Sequence, residues 1–419
     1  MRVVHLCKAT GNGGFIAAWR LHHALLAQGV DSVMVVRERG GRDDLDLVAF
    51  DDNRLWWFWF RVRGLFSRIL HALLLGSGSI KEFYLQWVPT FLPWAIKRRL
   101  RPDILHVHSA DDGLWSLWEL GRWRQPIVWT FHAYRDFSQG YIYLAQRHQR
   151  WVEGGQCAAI HDRDERIIPH INLALKKNMM SKRRDICIAP SHFVHEAGKA
   201  SGVFLDSQHL MIRNAVPLED YQPQGRVEWR ERFQLKNEAF VILIGATSLT
   251  YKIKGFDLFV ECLEQHASQA KQLNLVFAVF GSGETPGILT AIGKVIELGY
   301  LDEASLCAAY SGADLFVIPS REDNFPNVII EALACGLPYV GFDTGGVGDM
   351  IREDAACGVL APAYELDKLF ESIQTLARES SSDRERRRMA CRATVSRHCE
   401  PAAIAANHIK EYRALMQRK

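Results

Sequence analysis

Short apolar runs, each closed by a polar or glycine-rich stretch and followed by a segment of helical periodicity, recur along most of the 419-residue chain. Runs of this kind read as strands buried on both faces, as in a parallel sheet covered by helices. In the first half, 3–6 predicts a strand, Thr10-Gly-Asn-Gly-Gly14 a flexible loop, and 16–28 a helix that stops at Gly29. Further strands are predicted at 33–36, Ile104-Leu-His-Val-His108, Ile127-Val-Trp-Thr-Phe131 and Asp185-Ile-Cys-Ile-Ala-Pro-Ser191. After a crossing at 211–217 the pattern restarts. Strands are predicted at 240–244, 275–280, 314–318 and 339–342, with helices at 256–264 and 304–311 and glycine-rich loops at 281–284 and 344–348. The charged, alanine-rich tail predicts helices at 383–388 and 402–417. Two rounds of alternation give an α/β chain of two Rossmann-like, doubly wound domains, 1–213 and 214–395, facing a central cleft. The remainder, 396–419, is expected to pack back on the first domain.

Composition narrows the function classes. A chain with 48% hydrophobic and 24% charged residues is a soluble globular protein, and a formal net charge of +3 argues against dedicated nucleic-acid binding. Nine cysteines with no Cys-x-x-Cys pair predict reduced, buried thiols in a cytoplasmic protein rather than disulfides or a zinc site. The N-terminus opens directly as a strand, so no secretory signal is expected.

The densest chemistry lies in Ser320-Arg-Glu-Asp-Asn-Phe-Pro-Asn-Val-Ile-Ile-Glu331-Ala-Leu-Ala-Cys-Gly336-Leu-Pro338. Pro326 suits the first position of a helix, and Gly336 with Pro338 reads as its stop. A strand, a polar loop and a short helix place free backbone N–H groups at the mouth of a parallel sheet, where polar ligands bind. Asp323 in the loop and Glu331 two turns into the helix can hold hydroxyls on two parts of one elongated ligand. The competing reading is an ordinary βα unit with an acidic cap.

Elsewhere, Gly11, Gly13 and Gly14 permit a tight turn for close approach of a phosphate or sugar. Their spacing is not Gly-x-Gly-x-x-Gly, which removes support for a dinucleotide-dependent oxidoreductase. Lys254, before Gly255, offers a positive charge to a pyrophosphate. His132 closes a strand. His106 and His108, two apart on one strand face, could chelate a metal, but no third ligand lies at suitable spacing, so strand-end packing and no metal are expected.

The segment Leu55-Trp-Trp-Phe-Trp-Phe-Arg-Val-Arg-Gly-Leu-Phe-Ser-Arg-Ile-Leu-His-Ala-Leu-Leu-Leu75 is aromatic-rich, with no acidic residue from 53 to 80. Arg54, Arg61 and Arg68 recur every seven positions, and each would cost roughly 2.5–3.5 kcal/mol at a bilayer centre. A spanning helix is not expected on that ground. Two readings stay open: an interfacial helix on an anionic membrane surface, and a core helix with snorkelling arginines.

Taken jointly, several pieces resemble the retaining, nucleotide-sugar-dependent glycosyltransferases of family 4. They are Asp323-x7-Glu331 with Ala-Leu-Ala-Cys-Gly-Leu-Pro338, the glycine-rich first loop, Pro-Asp-Ile-Leu-His-Val-His108, Val-Trp-Thr-Phe-His132, Ala-Pro-Ser191 and Lys254-Gly255. The Glu-Asp-Asn-x-Pro-Asn form looks like that of bacterial members that build surface polysaccharides. The resemblance implies the GT-B fold and transfer of a sugar from a nucleoside diphosphate sugar to a glycan or lipid-linked acceptor. It further implies retained configuration, no metal or other cofactor, and a cytoplasmic location on the inner face of the membrane. It implies catalytic roles for His132, Lys254 and Asp323. Donor contacts are implied for Gly13, Gly14, Lys252, Glu322 and the backbone at Asn324, Phe325, Pro326 and Asn327. Glu331 would take the ribose, with Gly283 and Leu301 beside the nucleobase. Three departures stand out: Asp323 replaces the family's first Glu, the Arg usual before Lys254 is missing near Lys252, and Ala133 follows His132 where many relatives have Asp. These departures leave room for a non-catalytic GT-B-like subunit that binds sugars or stabilises a partner enzyme.

Overall fold

A computed structural model describes residues 1–41, 46–75, 86–108, 114–143, 167–236 and 238–417. Two compact units divide at Ala215/Val216, and the chain from Pro401 onward belongs with the first.

Among the described residues the first unit is built on seven strands: β1 (Arg2–Ala9), β2 (Asp31–Glu38), β3 (Val48–Ala49), β4 (Ile104–Val107), β5 (Ile127–Thr130), β6 (Ile186–Ala189) and β7 (Gln208–Met211). They lie in the order β3-β2-β1-β4-β5-β6-β7, all parallel, with His5 of β1 in register with His106 of β4. One face carries Val4, Leu6, Leu105, Val107, Ile127 and Trp129. The other presents Val3, Ile104, Val128 and Ile188 to Leu21 and Leu25 of helix α1 (Gly13–Ala27) and to Ile404 and Tyr412 of the helix Pro401–Gln417. Covering both faces is why the central strands read as unbroken apolar runs. The α1 helix starts on Asn12, whose side-chain oxygen accepts from Phe15 N–H at 2.9 Å. It ends at Gly29 in the left-handed region (φ 74°), with the amides of Gly29 and Val30 bonded back to Leu26 and Leu25.

The second unit repeats the plan with β8 (Phe240–Ser248), β9 (Leu275–Ser282), β10 (Lys294–Gly299), β11 (Leu315–Ile318), β12 (Tyr339–Phe342) and β13 (Gly358–Ala361). Their order is β10-β9-β8-β11-β12-β13, again all parallel. In each sheet the chain runs outward from an interior strand and then returns to its other side. Strand order therefore reverses between β1 and β4, and between β8 and β11. Beyond the carboxyl ends of the strands at such a reversal, two successive loops splay apart and leave a crevice for ligand.

Four strands escape the apolar-run criterion: β3, β7, β10 and β13. They are the four sheet edges. An edge strand has one hydrogen-bonded neighbour and a flank toward solvent, so Lys294-Val-Ile-Glu-Leu-Gly299 alternates instead of running apolar. The eight described cysteines are buried thiols outside any disulfide; Cys157 lies outside the described residues.

Helix α2 (Arg54–Leu75) divides its two sides. Inward, Trp56 and Phe60 pack on the core, Trp59 Nε1 donates to Thr90 O at 3.0 Å, and the buried Arg63 donates through Nη2 to Val88 O at 3.0 Å. Outward, Leu55, Phe58, Leu65, Phe66 and Leu73 are each more than half exposed. The core-helix alternative therefore accounts for only one side. Among the described residues no helix is long and apolar enough to cross a membrane.

Candidate functional site

In the first unit the implied residues gather at the carboxyl edge of the sheet. Gly13 opens α1, and a Cβ on Gly14 would stand 3.3 Å from both Cβ and Cγ of His132. Glycine there lets the helix start close against the histidine that follows β5.

Behind His132 lies a buried set of imidazoles. His132 Nε2 is 3.1 Å from His108 Nδ1, and His108 Nε2 is 2.9 Å from His5 Nδ1. The expectation that no third ligand lies near His106 and His108 is corrected. His5, in register on the neighbouring strand, joins them, with ligand atoms of all three within 4.8 Å of one another. Chain spacing could not reveal it, because the parallel pairing joins positions a hundred residues apart. Geometry nonetheless describes a hydrogen-bond network. Both His106 nitrogens are taken, Nδ1 by Tyr412 Oη and Nε2 by Thr130 Oγ1, each at 2.7 Å.

Burial disfavours the imidazolium throughout this set. It holds His5, His106 and His108 well below the ordinary range, and brings His22 and His408 to about 4. Burial, with a smaller contribution from the Arg135 charge, also brings His132 to about 4. In the unfolded chain these groups titrate near 6.5, so between pH 6.5 and 4 the unfolded state binds more protons. Stability is thus fully present above 6.5 and lost as pH falls, by ~1.4 kcal/mol per pH unit for each group. Melting curves at pH 7.5 and pH 5 should show a lower Tm at pH 5; equal values would contradict this account.

In the second unit, Lys254 ends a single helical turn, Lys252–Lys254, that follows β8. Its ammonium lies 2.5 Å from Asp323 Oδ2, in the loop after β11. Both loops flank the strand reversal, so the contact falls where the fold leaves room for a ligand. Gly255 (φ 70°) makes the approach possible: a Cβ there would lie 1.7 Å from Pro319 O. The loop after β12 clasps Asp323 from the other side. Gly346 N–H donates to Asp323 O at 2.8 Å, Thr344 Oγ1 donates to Ser320 O at 2.8 Å, and a Cβ on Gly345 would meet Asp323 O at 2.1 Å.

Sequence reasoning missed Arg321 and Asp257. The Arg321 guanidinium grips both Asp257 oxygens at 2.6 and 3.0 Å and also donates to Lys252 O at 2.6 Å, while its N–H bonds Ile253 O at 2.8 Å. Burial alone would raise the Asp257 pKa, but the bonds from Arg321 and Lys252 outweigh it and the net shift is downward. Lys252, largely exposed, pairs with Asp257 at 2.8 Å. An arginine is therefore present beside the turn that carries Lys254, and its charge is spent on holding that turn in place. Arg321 stands inside the dense string, but nothing along the chain ties it to Asp257, 64 positions away.

The helix after β11 is Asn327–Ala334, so Pro326 is its N-cap (φ −66°, ψ 120°) and not its first residue as expected. Its extended ψ delays the first helical turn by one position, and proline has no N–H to offer a sugar hydroxyl. Asn324 N–H is turned to Asp323 Oδ1 at 3.1 Å, and the Phe325 side chain is anchored in the core. Glu322 and Glu331 are both buried, and Tyr310 Oη donates to Glu331 Oε2 at 3.4 Å. Gly336 (φ 77°) ends the helix, with the amides of Gly336 and Leu337 returning to Leu333 and Ala332. Gly283 (φ 128°) follows β9 against Leu249, and Leu301 follows β10, partly buried against the core. The second unit thus brings Lys254 and Asp323 into contact and sets Gly283, Leu301 and 322–327 along the same sheet edge.

Two family models match the chain. A family model described as "Glycosyltransferase Family 4" matches residues 11–219, and one described as "Glycosyl transferases group 1" matches 239–379. Sulfoquinovosyl transferase SQD2 of Arabidopsis thaliana is 24% identical over 321 residues, 73% of this chain but 56% of that protein's own length. The fold resembles sucrose-phosphate synthase from Thermosynechococcus elongatus, with a TM-score of 0.68, 17% identity and all of both chains covered. It also resembles Anabaena HepE in complex with UDP-glucose, with a TM-score of 0.65 and 15% identity over 99% of this chain and 100% of that one.

Proposed function

From the premise that this chain belongs to glycosyltransferase family 4 and has the GT-B fold, we propose that it moves a sugar from a nucleoside diphosphate sugar to a glycan or lipid-linked acceptor, retaining anomeric configuration, in building a bacterial surface polysaccharide. The observation that carries this reading is the Lys254–Asp323 contact beside the strand reversal of the second sheet. Breaking the bond from C1 to the diphosphate oxygen leaves negative charge on the phosphate and positive charge at C1. The Lys254 ammonium stabilises the first and the Asp323 carboxylate the second. The acceptor hydroxyl bonds to C1 on the face the diphosphate leaves, and its proton passes to the departing phosphate oxygen. No nucleophile of the protein and no metal is needed for that course. Glu331 takes the ribose hydroxyls, the N–H groups of Phe325 and Asn327 the sugar, and His132 with Gly13 and Gly14 the donor from the first unit. A solved relative of the fold that holds UDP-glucose supports a nucleotide donor of this class. Incubation with a panel of nucleotide sugars, followed by NMR of the product, tests it. Transfer with the donor's anomeric configuration is expected; an inverted product overturns the mechanism, and no donor turnover favours the non-catalytic subunit.

The acceptor's location has its own support in α2. Arg54, Arg61 and Arg68 are exposed among its outward apolar residues, with Arg61 stacked 4.6 Å from the Trp57 ring centroid. Nearby in sequence, the helix α3 (Leu92–Leu100) exposes Trp94 and carries Lys97, Arg98 and Arg99 in its last turn. Aromatic and aliphatic groups at the acyl boundary with cations against headgroups suit an anionic bilayer surface, here the inner face of the cytoplasmic membrane. The protein should sediment with phosphatidylglycerol vesicles and not with phosphatidylcholine ones. Arg61→Glu with Arg68→Glu should release it; unchanged sedimentation of that variant would sink the assignment.

A further inference from the structure

We propose that His5 and His108 are positioning residues: with His132 they form a chain of three imidazoles that fixes His132 in the neutral form carrying its proton on Nδ1, so that it meets the donor as a hydrogen-bond donor and not as a base. The proposal rests on the reading that His132 touches the donor sugar.

The argument is a proton count. Each neutral imidazole has one N–H and one bare nitrogen. The contacts are His5 Nδ1 to His108 Nε2 at 2.9 Å and His108 Nδ1 to His132 Nε2 at 3.1 Å. Each bond needs one proton, and His108, at the middle and fully buried, supplies one and receives one. The protons therefore all run outward from His5 or all run inward from His132.

The two directions differ at the far end of the chain. Running inward would leave the proton of His5 on Nε2, a buried nitrogen that has no hydrogen-bond partner. His106 cannot accept it, because its own nitrogens are committed to Tyr412 and Thr130. A buried N–H with no acceptor is among the rarest and costliest defects in a folded protein. Running outward leaves only a bare lone pair there. His5 Nδ1–H then donates to His108 Nε2, and His108 Nδ1–H donates to His132 Nε2. His132 must keep its proton on Nδ1. Charged and titratable groups around the chain keep it neutral: Arg135 disfavours a positive His132, while His22 and His408 disfavour positive charge on its inner members.

Full-length protein labelled with 15N-histidine tests this through two-bond 1H–15N spectra at pH 7, with the His132 signals assigned by His132→Gln. The expected parental spectrum shows His132 protonated on Nδ1. In His108→Leu the proton should move to Nε2 and kcat should fall about tenfold, with the donor KM changed less than about threefold. In His108→Asn, whose amide N–H lies where Nδ1–H does, the Nδ1–H signature and most of kcat should return. His132 found protonated on Nε2 in the parent overturns the proposal, and that spectrum decides even if the leucine variant fails to fold. A His108→Leu variant that leaves spectrum and kcat unchanged overturns it as well. By contrast, undiminished transfer in His132→Gln would reject the donor contact of His132 while leaving the spectrum to judge the chain.

Discussion

Lys254→Ala should lower kcat for sugar transfer by roughly 10²–10³-fold, about 3–4 kcal/mol, with a much smaller change in the donor KM. The asymmetry follows from when the charge is needed. A bound nucleoside diphosphate already carries its negative charge, but the bridging oxygen gains more as the bond to C1 lengthens. An ammonium beside that oxygen is therefore worth most in the transition state. The ammonium sits 2.5 Å from Asp323, with its side chain 30% exposed and that of Asp323 13% exposed. Lys254→Arg keeps the charge but replaces a compact ammonium by a wide planar fork, so it should recover only part of the rate. Steady-state kinetics on the best donor, with a melting curve to confirm folding, would measure all three proteins. An alanine variant within about threefold of the parent would refute the assigned role.

The second large effect is on the turn itself. Gly255→Ala should destabilise the second unit by roughly 3 kcal/mol or more and reduce transfer at least about tenfold in the protein that remains folded. Two penalties add. Alanine at φ 70° costs about 1–2 kcal/mol, and its Cβ would fall 1.7 Å from Pro319 O, inside any tolerable contact. Because the obstacle is backbone at the end of β11, it cannot rotate away; the turn must lift, carrying Lys254 off Asp323. Gly29→Ala is the control. It has nearly the same backbone angle (φ 74°) but open space around the new methyl, so it should cost only about 1–2 kcal/mol and leave transfer unaffected. Similar losses for the two variants would mean that the contact with Pro319 carries no weight.

Much of the fold was legible because parallel sheets buried on both faces write themselves as apolar runs. Among the described residues every interior strand was anticipated and every edge strand was passed over, since an edge strand lacks the second neighbour that demands the run. Helix ends at Gly29 and Gly336 were legible for a related reason: a left-handed residue closes each helix, and glycine is the cheapest residue there. Pro326 shows the resolution of such signals, as it marked the helix start but missed it by one position.

For the site, the chain by itself determined the chemistry on offer: Lys254, Asp323 and His132, each in the segment that follows a strand, and Glu331 in the helix after β11. Those are local facts, fixed by residue type and by position relative to a strand or helix end. The tertiary structure alone decided which groups meet. It placed Asp323 against Lys254, 69 positions apart, and committed Arg321 to Asp257. It also joined His5 to His108 across a parallel pairing. The reason is the connectivity of a doubly wound sheet, in which neighbouring strands, and the loops that leave their carboxyl ends, come from distant parts of the chain.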